Sequence, residues 1–378
     1  SVERAHKELL KDLDGDKVIV AIIDTGLDIE HENLYNNIWI NNNEIINGLD
    51  DDNNGYVDDI NGWNYLGSSY NETREMTRIL RDNKVNNRKY SLVEEEIKKE
   101  IKKSNDQLNI LNYYIQILED SKQLISRYLD NDKYGIDDVN KIETEDERLI
   151  RAKKIYKDFE SYGYTKEYLN EGIEQYNDFI NFHFNVDFNG RTTNDDIYDI
   201  NDTNYGDSNI NNIKDSESHS THVSGIISGD RNNNDGNKGI NNLAEIMVLR
   251  AIPNGDEYDK DVAKAIRYAV DNGARIINGS FGKYFSSNPE WVIDAIKYAS
   301  DNDVLVIAAA GNESKDLDSL SNDNYPSDQF FNKNEFSNTF IKVGASSIDL
   351  NENFTAYFSN YGKVNVDIFA PGVDVYSS

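Results

Sequence analysis

Residues 18–26 read Val-Ile-Val-Ala-Ile-Ile-Asp-Thr-Gly. The six apolar residues that open this stretch do not alternate with polar ones, and most are β-branched. That pattern predicts a strand buried on both faces, as in a parallel sheet. The Asp-Thr-Gly that follows ends the strand in a turn. Short runs of the same kind recur at 246–251, 274–277, 304–309, 340–345 and 366–369. Amphipathic segments lie between them. Val262, Ala265, Ile266, Ala269 and Val270 share one helical face, as do Val292, Ala295, Ile296 and Ala299. Gly273 stands where a helix stop belongs, and Asn288-Pro289 reads as an N-cap followed by N1. Strands alternating with helices of this length predict an α/β fold, a doubly wound, mostly parallel sheet with helices on both faces.

Open parallel sheets gather function beyond the carboxyl ends of their strands. Asp24 stands at such an end. An aspartic peptidase would need a second Asp-Thr-Gly or Asp-Ser-Gly in an all-β setting, and the chain has neither. Two of its five histidines, His219 and His222, lie three apart at the start of an apolar stretch. Histidine is the usual general base near neutral pH. A zinc pair would share a helix face at that spacing, but no third ligand follows, and His222 reads as a core histidine. Ala309-Ala310-Gly311-Asn312 closes the strand at 304–309, with small residues for close backbone approach and an amide that suits an oxyanion.

Taken in order, six stretches resemble the subtilisin-like serine peptidases, or subtilases. They are VIVAIIDTGLDIEHENL (18–34), SHSTHVSGIISG (218–229), ARIINGSFG (274–282), VLVIAAAGNES (304–314), FIKVGASS (340–347) and FAPGVDVYSS (369–378). The resemblance implies a serine endopeptidase with an Asp-His-Ser triad acting on polypeptide substrates. Asp24 would orient the imidazole, His219 would be the general base and Asn312 the oxyanion donor. Ser280, Phe281 and Gly282 would pair with an extended substrate, and Ala309, Ala310 and Gly311 would line its specificity pocket.

Three departures stand out. Ser220 replaces the glycine of the family's His-Gly-Thr-His, which would crowd the base or add a hydrogen bond. Asn278-Gly279-Ser280 replaces Asn-Met-Ser, which predicts a looser substrate edge. The family's nucleophile lies in a Gly-Thr-Ser-Met-Ala motif beyond Ala-Pro-Gly. Here Ala370-Pro371-Gly372 is followed by six residues, and no Gly-Thr-Ser occurs. Residues 1–378 alone are therefore expected to be inactive. The rival reading is a truncated pseudoprotease that acts as a peptide-binding or protein-interaction module.

Residues 70–185 differ in texture and read as an α-helical insertion into a domain made of 1–69 and 186–378. Ile97, Ile101, Leu108, Leu111, Ile115, Leu118, Ile125 and Leu129 form a heptad seam interrupted at Ser104 and Lys122. Leu149, Ala152, Tyr156 and Phe159 repeat the spacing, as do Leu169, Ile173, Tyr176 and Ile180. A helical hairpin or small bundle is expected there. Contacts of the catalytic domain with a propeptide or with this insertion stay open.

The whole chain has 378 residues, 69 acidic and 39 basic side chains, a formal charge of −30 and no cysteine. Such acidity argues against nucleic acid and anionic lipid as partners. The lack of cysteine excludes disulfides and thiolate chemistry. No run of 18 apolar residues predicts a membrane span. Composition and resemblance point to a secreted, periplasmic or cell-surface bacterial protein. The densest acid lies at 50–59, which matches the first half of a calcium loop. Its expected ligands are Asp50, Asp52, Asn54, the carbonyl of Tyr56, and Asp58 or Asp59, since carboxylates this close repel unless a cation sits among them.

Overall fold

The computed structural model describes residues 2–11, 15–82, 87–233, 236–319, 321–329, 334–349, 351 and 353–378. Along the chain the order is α1 (Val2–Glu8), β1 (Val18–Asp24), β2 (Gly62–Asn64), α2 (Glu75–Asp82), α3 (Asn87–Leu129), α4 (Ile136–Lys141), α5 (Glu147–Tyr162) and α6 (Lys166–Asp178). There follow α7 (His219–Ser228), β3 (Ala244–Arg250), α8 (Asp259–Asp271), β4 (Ile276–Gly279), α9 (Pro289–Asp301), β5 (Leu305–Ala309), β6 (Phe340–Ser346) and β7 (Ile368–Pro371). The chain divides into two compact units, one made of Ser1–Glu75 with Gly190–Ser378 and the other of Met76–Asn189.

In the first unit seven strands form one sheet in the order β2-β3-β1-β4-β5-β6-β7, and every pairing is parallel. The α/β class expected from the apolar runs is the one observed. The missing alternation of 18–23 has a direct structural cause. Ala21 and Ile23 pack into the core under α8 and α9, while Val20 and Ile22 pack on the opposite face with Val223 and Ile227 of α7. Both faces of β1 are covered, so both sets of side chains must be apolar. β2 is only three residues long and too short for periodicity to reveal.

Chain direction then sets the site. After β1 the chain enters β3 on one side of it, and later β4 on the other side. The sheet order reverses at β1, and such a switch point opens a crevice at the carboxyl edge. Asp24 closes β1, Ser280 follows β4, and Gly311 and Asn312 follow β5, so all four stand at that edge.

Helix ends deviate in one instructive place. Asn288 precedes the proline that opens α9, but its side chain makes no cap hydrogen bond. Its own N–H instead donates to Asp259 Oδ2 at 2.8 Å, tying α9 to the start of α8.

The start of α8 also carries a buried charge network. Arg191 donates to both Asp261 oxygens at 2.8 and 3.0 Å, and to Asp195. Tyr205 donates to Asp261, and Lys260 pairs with Asp195 at 2.7 Å. Asp195, Lys260 and Asp261 side chains have no exposed surface, and that of Arg191 is 6% exposed. Removing one partner from such a set strands a charge out of water. Asp261→Ala is therefore expected to cost about 3–5 kcal/mol, read as a lower urea midpoint at unchanged m-value.

The second unit is built on α3, a single helix of 43 residues. α5 and α6 pack along it. Leu149, Ala152, Tyr156 and Phe159 are buried, as their spacing requires. On α3 the seam keeps Ile97, Leu118 and Ile125 inside and runs through Ser104 without a break. Further along, Ser121 and not Lys122 is buried. Leu118, Ser121 and Ile125 are three and four residues apart and share one face of the helix, with the exposed Lys122 at its edge.

Candidate functional site

His219 is the first residue of α7, and its Nδ1 lies 2.8 and 2.9 Å from the two oxygens of Asp24. Asp24 is 1% exposed, while the His219 side chain keeps 54% of its surface open. The contact with Asp24 raises the imidazole pKa above its ordinary value, against a smaller opposing effect of desolvation. With Nδ1 held by the acid, Nε2 is the nitrogen left to accept a proton.

Three further ties join the Asp24 turn to the segment that carries His219. Ser220 N–H donates to Thr25 Oγ1 and Asp28 N–H to Thr221 Oγ1, each at 3.1 Å. Gly26 N–H donates to Glu217 Oε1 at 2.8 Å. Gly26 has no room for a side chain, because an added Cβ would lie 2.5 Å from the Asn211 carbonyl oxygen. Ser220 is fully buried, and its hydroxyl makes no hydrogen bond. The glycine-to-serine change thus adds a buried polar atom rather than a tie. His222 is half-buried, with Nε2 3.2 Å from the Val375 carbonyl.

At the ends of β4 and β5 lies a cleft of about 270 Å³. Ser280, Ala309, Gly311 and Asn312 line it, together with Val343 and Ala345 of β6. Phe281, Gly282 and Ala310 are absent from its wall. Phe281 packs against the main core, Gly282 lies under the Tyr325 carbonyl, and Ala310 is buried with Leu317 and Val366.

Within Asn278-Gly279-Ser280, Asn278 Nδ2 donates to Ser280 Oγ at 2.9 Å. Below Asn312, the Glu313 carboxylate accepts the Asn312 N–H at 2.9 Å and the Tyr284 hydroxyl. Gly311 holds the turn with φ +102°, in the region that favours glycine.

The acidic loop gathers a smaller set than its spacing suggests. Oxygens of Glu44, Asp52 and Asp59 lie within 4.8 Å of one another. Backbone N–H groups donate to Asp50 from Asn54 and Gly55, to Asp58 from Asn47 and Gly48, and to Glu44 from Asp51, Asp52 and Asp58. The amides of Asn41 and Asn54 donate to both Asp52 and Asp59. Burial raises the Asp59 pKa to about 6. Glu44 and Asn41 sit outside the 50–59 motif, and nothing in their own spacing marks them. A further run, Asn-Asn-Asn-Asp-Gly at 232–236, reads as a loop, and its residues 234–235 lie outside the described residues.

A buried carboxylate holding a half-open histidine stands at the switch point of a doubly wound sheet, and a cleft of about 270 Å³ lies at the ends of β4 and β5 of the same sheet. The subtilase family model matches residues 15–378, and the chain belongs to that family. It is 36% identical over 182 residues to the thermophilic serine proteinase of Bacillus sp. (strain AK1), covering 48% of this chain and 39% of that one. It is 37% identical over 168 residues to the cell wall-associated protease of Bacillus subtilis (strain 168), covering 44% and 17%. Against thermitase of Thermoactinomyces vulgaris it is 34% identical over 161 residues, covering 42% and 51%. The chain thus spans about half or less of the length of these relatives.

Among the described residues, no helix is long and apolar enough to cross a membrane.

Proposed function

We propose that the protein is a serine endopeptidase in which Asp24 and His219 are two members of an Asp-His-Ser triad. The observation that carries this reading is the contact between Asp24 and His219 Nδ1, in a chain of the subtilase family. His219 takes the proton from the serine hydroxyl through Nε2 as the serine attacks the peptide carbonyl, then passes it to the leaving amine. Asp24 holds the Nδ1–H tautomer and stabilises the imidazolium that forms. Asn312, at the rim of the cleft, donates its amide to the developing oxyanion, a donor whose loss costs ~2.7–4 kcal/mol in a member of this family. The substrate side chain enters the cleft walled by Ala309, Gly311 and Ala345.

The serine itself is proposed to lie beyond residue 378, since Gly-Thr-Ser does not occur within it. The test is casein hydrolysis by the full-length protein, with a fluorophosphonate probe that labels an activated serine. Cleavage blocked by the probe is expected. A folded full-length protein that binds peptides but neither cleaves nor labels would favour the pseudoprotease reading.

We also propose calcium at Glu44, Asp52 and Asp59. The donor set fits a hard cation, because all three are carboxylates. The Asn41 and Asn54 amides donate to both Asp52 and Asp59 and so hold these two carboxylates side by side. At a hundredfold excess over its Kd, calcium would add about 2.7 kcal/mol. EDTA is thus expected to lower the thermal midpoint by about 5 °C, restored by calcium and not by magnesium. An unchanged midpoint would exclude the site.

A further inference from the structure

We propose that Glu217 is a positioning residue that sets the Asp24–His219 contact through a buried bridge to Arg250. The proposal rests on the reading of Asp24 and His219 as the catalytic pair. Glu217 lies two residues before His219 and is 4% exposed; Arg250 is fully buried. Glu217 Oε1 accepts from Gly26 N–H at 2.8 Å and from Arg250 Nε at 2.7 Å. Its Oε2 accepts from Ile213 N–H at 2.9 Å. Gly26 is two residues past Asp24, so one carboxylate joins the chain just after the acid to the chain just before the base.

Arg250 stands beside Asp24 in the parallel register of β1 and β3. Three of its other four N–H groups donate to Asn64 Oδ1 and the Gly67 carbonyl, each at 3.0 Å, and to the Ser69 carbonyl at 2.8 Å. The guanidinium is therefore immobile, and through it Glu217 is referred to the sheet that carries Asp24. All three partners of Glu217 are donors. Only an acceptor-only carboxylate satisfies them, whereas glutamine would turn an NH2 against an N–H. The bridge also replaces a local anchor, because Ser218 at the N-cap of α7 makes no side-chain cap hydrogen bond. The cause of the raised His219 pKa is Asp24. Glu217 thus acts through placement.

The experiment is an NMR titration of the His219 imidazole in the full-length protein, assigned by its loss in His219→Ala. Glu217→Gln and Glu217→Asp remove, respectively, the charge and the reach. Both are expected to weaken the proton affinity of His219 about threefold toward its free value. Both should also lower kcat about 10- to 100-fold at nearly unchanged KM. Asp195→Asn, in the buried network at α8, serves as the control. It should lower the melting temperature and leave the His219 titration in place.

An unmoved titration in the folded Glu217 variants would overturn the proposal. So would a shift in Glu217→Gln alone, which would mean action by charge. If Glu217→Gln fails to fold, Arg250→Lys asks the same question, since it keeps the charge and loses the fork. The titration needs no turnover. A moved His219 without peptidase activity would refute the peptidase reading and leave the bridge standing.

Discussion

His219→Ala is expected to lower kcat for peptide hydrolysis by about 10⁶-fold, because loss of the base alone costs that much in a subtilisin. The argument starts from geometry. Asp24 is buried and gives both oxygens to Nδ1, so the imidazole is held by one edge and its other nitrogen faces the half-open side. No other histidine could substitute, for His222 is turned to the Val375 carbonyl. KM should change little, since the imidazole is absent from the wall of the cleft at the ends of β4 and β5, the proposed substrate site. Measurement of kcat and KM on a chromogenic peptide, with thermal melts to confirm the fold, checks this. Retention of more than about a hundredth of kcat would refute the assignment of His219 as base.

The same contact predicts the pH profile. The His219 pKa is raised above its ordinary 6.5 by the hydrogen bond to Asp24. The base must be neutral, so kcat/KM should climb as pH rises through a midpoint above 6.5. The stability linkage runs the other way. A raised folded pKa contributes stability in full below the unfolded value, and that contribution is lost as pH rises through the folded one.

Asp24→Asn is expected to cost about 10⁴-fold in kcat while leaving the backbone in place. Thr25 N–H donates to Asp24 Oδ1 at 2.7 Å, so the amide oxygen of an asparagine would take that side. Its NH2 would then occupy the position of Oδ2, 2.9 Å from Nδ1. A donor there opposes Nδ1–H and favours the proton on Nε2, the atom that must accept one. The imidazolium also loses its neighbouring charge. The kinetic acid limb should therefore move toward lower pH as the rate falls. Combining Asp24→Asn with His219→Ala should cost no more than His219→Ala alone, because the two act as a unit. Additive losses would contradict the pairing.

Burial pattern made the first unit legible. Strands buried on both faces have no alternation, and that signature marks 18–23, 246–251 and 304–309 in the bare sequence. Asp24 and His219 were legible for a different reason: each ends or begins an apolar run with a residue that chemistry uses. Glu217 and Arg250 were not. A glutamate two residues before a histidine has no motif, and its partner is 33 residues away. Arg250 did leave a trace, as a cation inside the apolar run 246–251, since such a charge must be paired once buried. In the acidic loop, the spacing nominated Asp50 and Asp58, whose carboxylates accept backbone N–H groups of tight turns, while Glu44, which brings a carboxylate close to Asp52 and Asp59, comes from the preceding loop and has no spacing signal.

Local order in the chain therefore settled which elements form and which of them end in reactive side chains, because strand and helix periodicities are properties of neighbouring residues. Tertiary packing alone decided which of those side chains meet. Asp24 and His219 are 195 residues apart and come together only because β1 and α7 pack in one crossover unit. Phe281 and Ala310 lie just past the ends of β4 and β5, and it is packing with distant apolar residues that keeps them out of the cleft that Ser280 and Ala309 line.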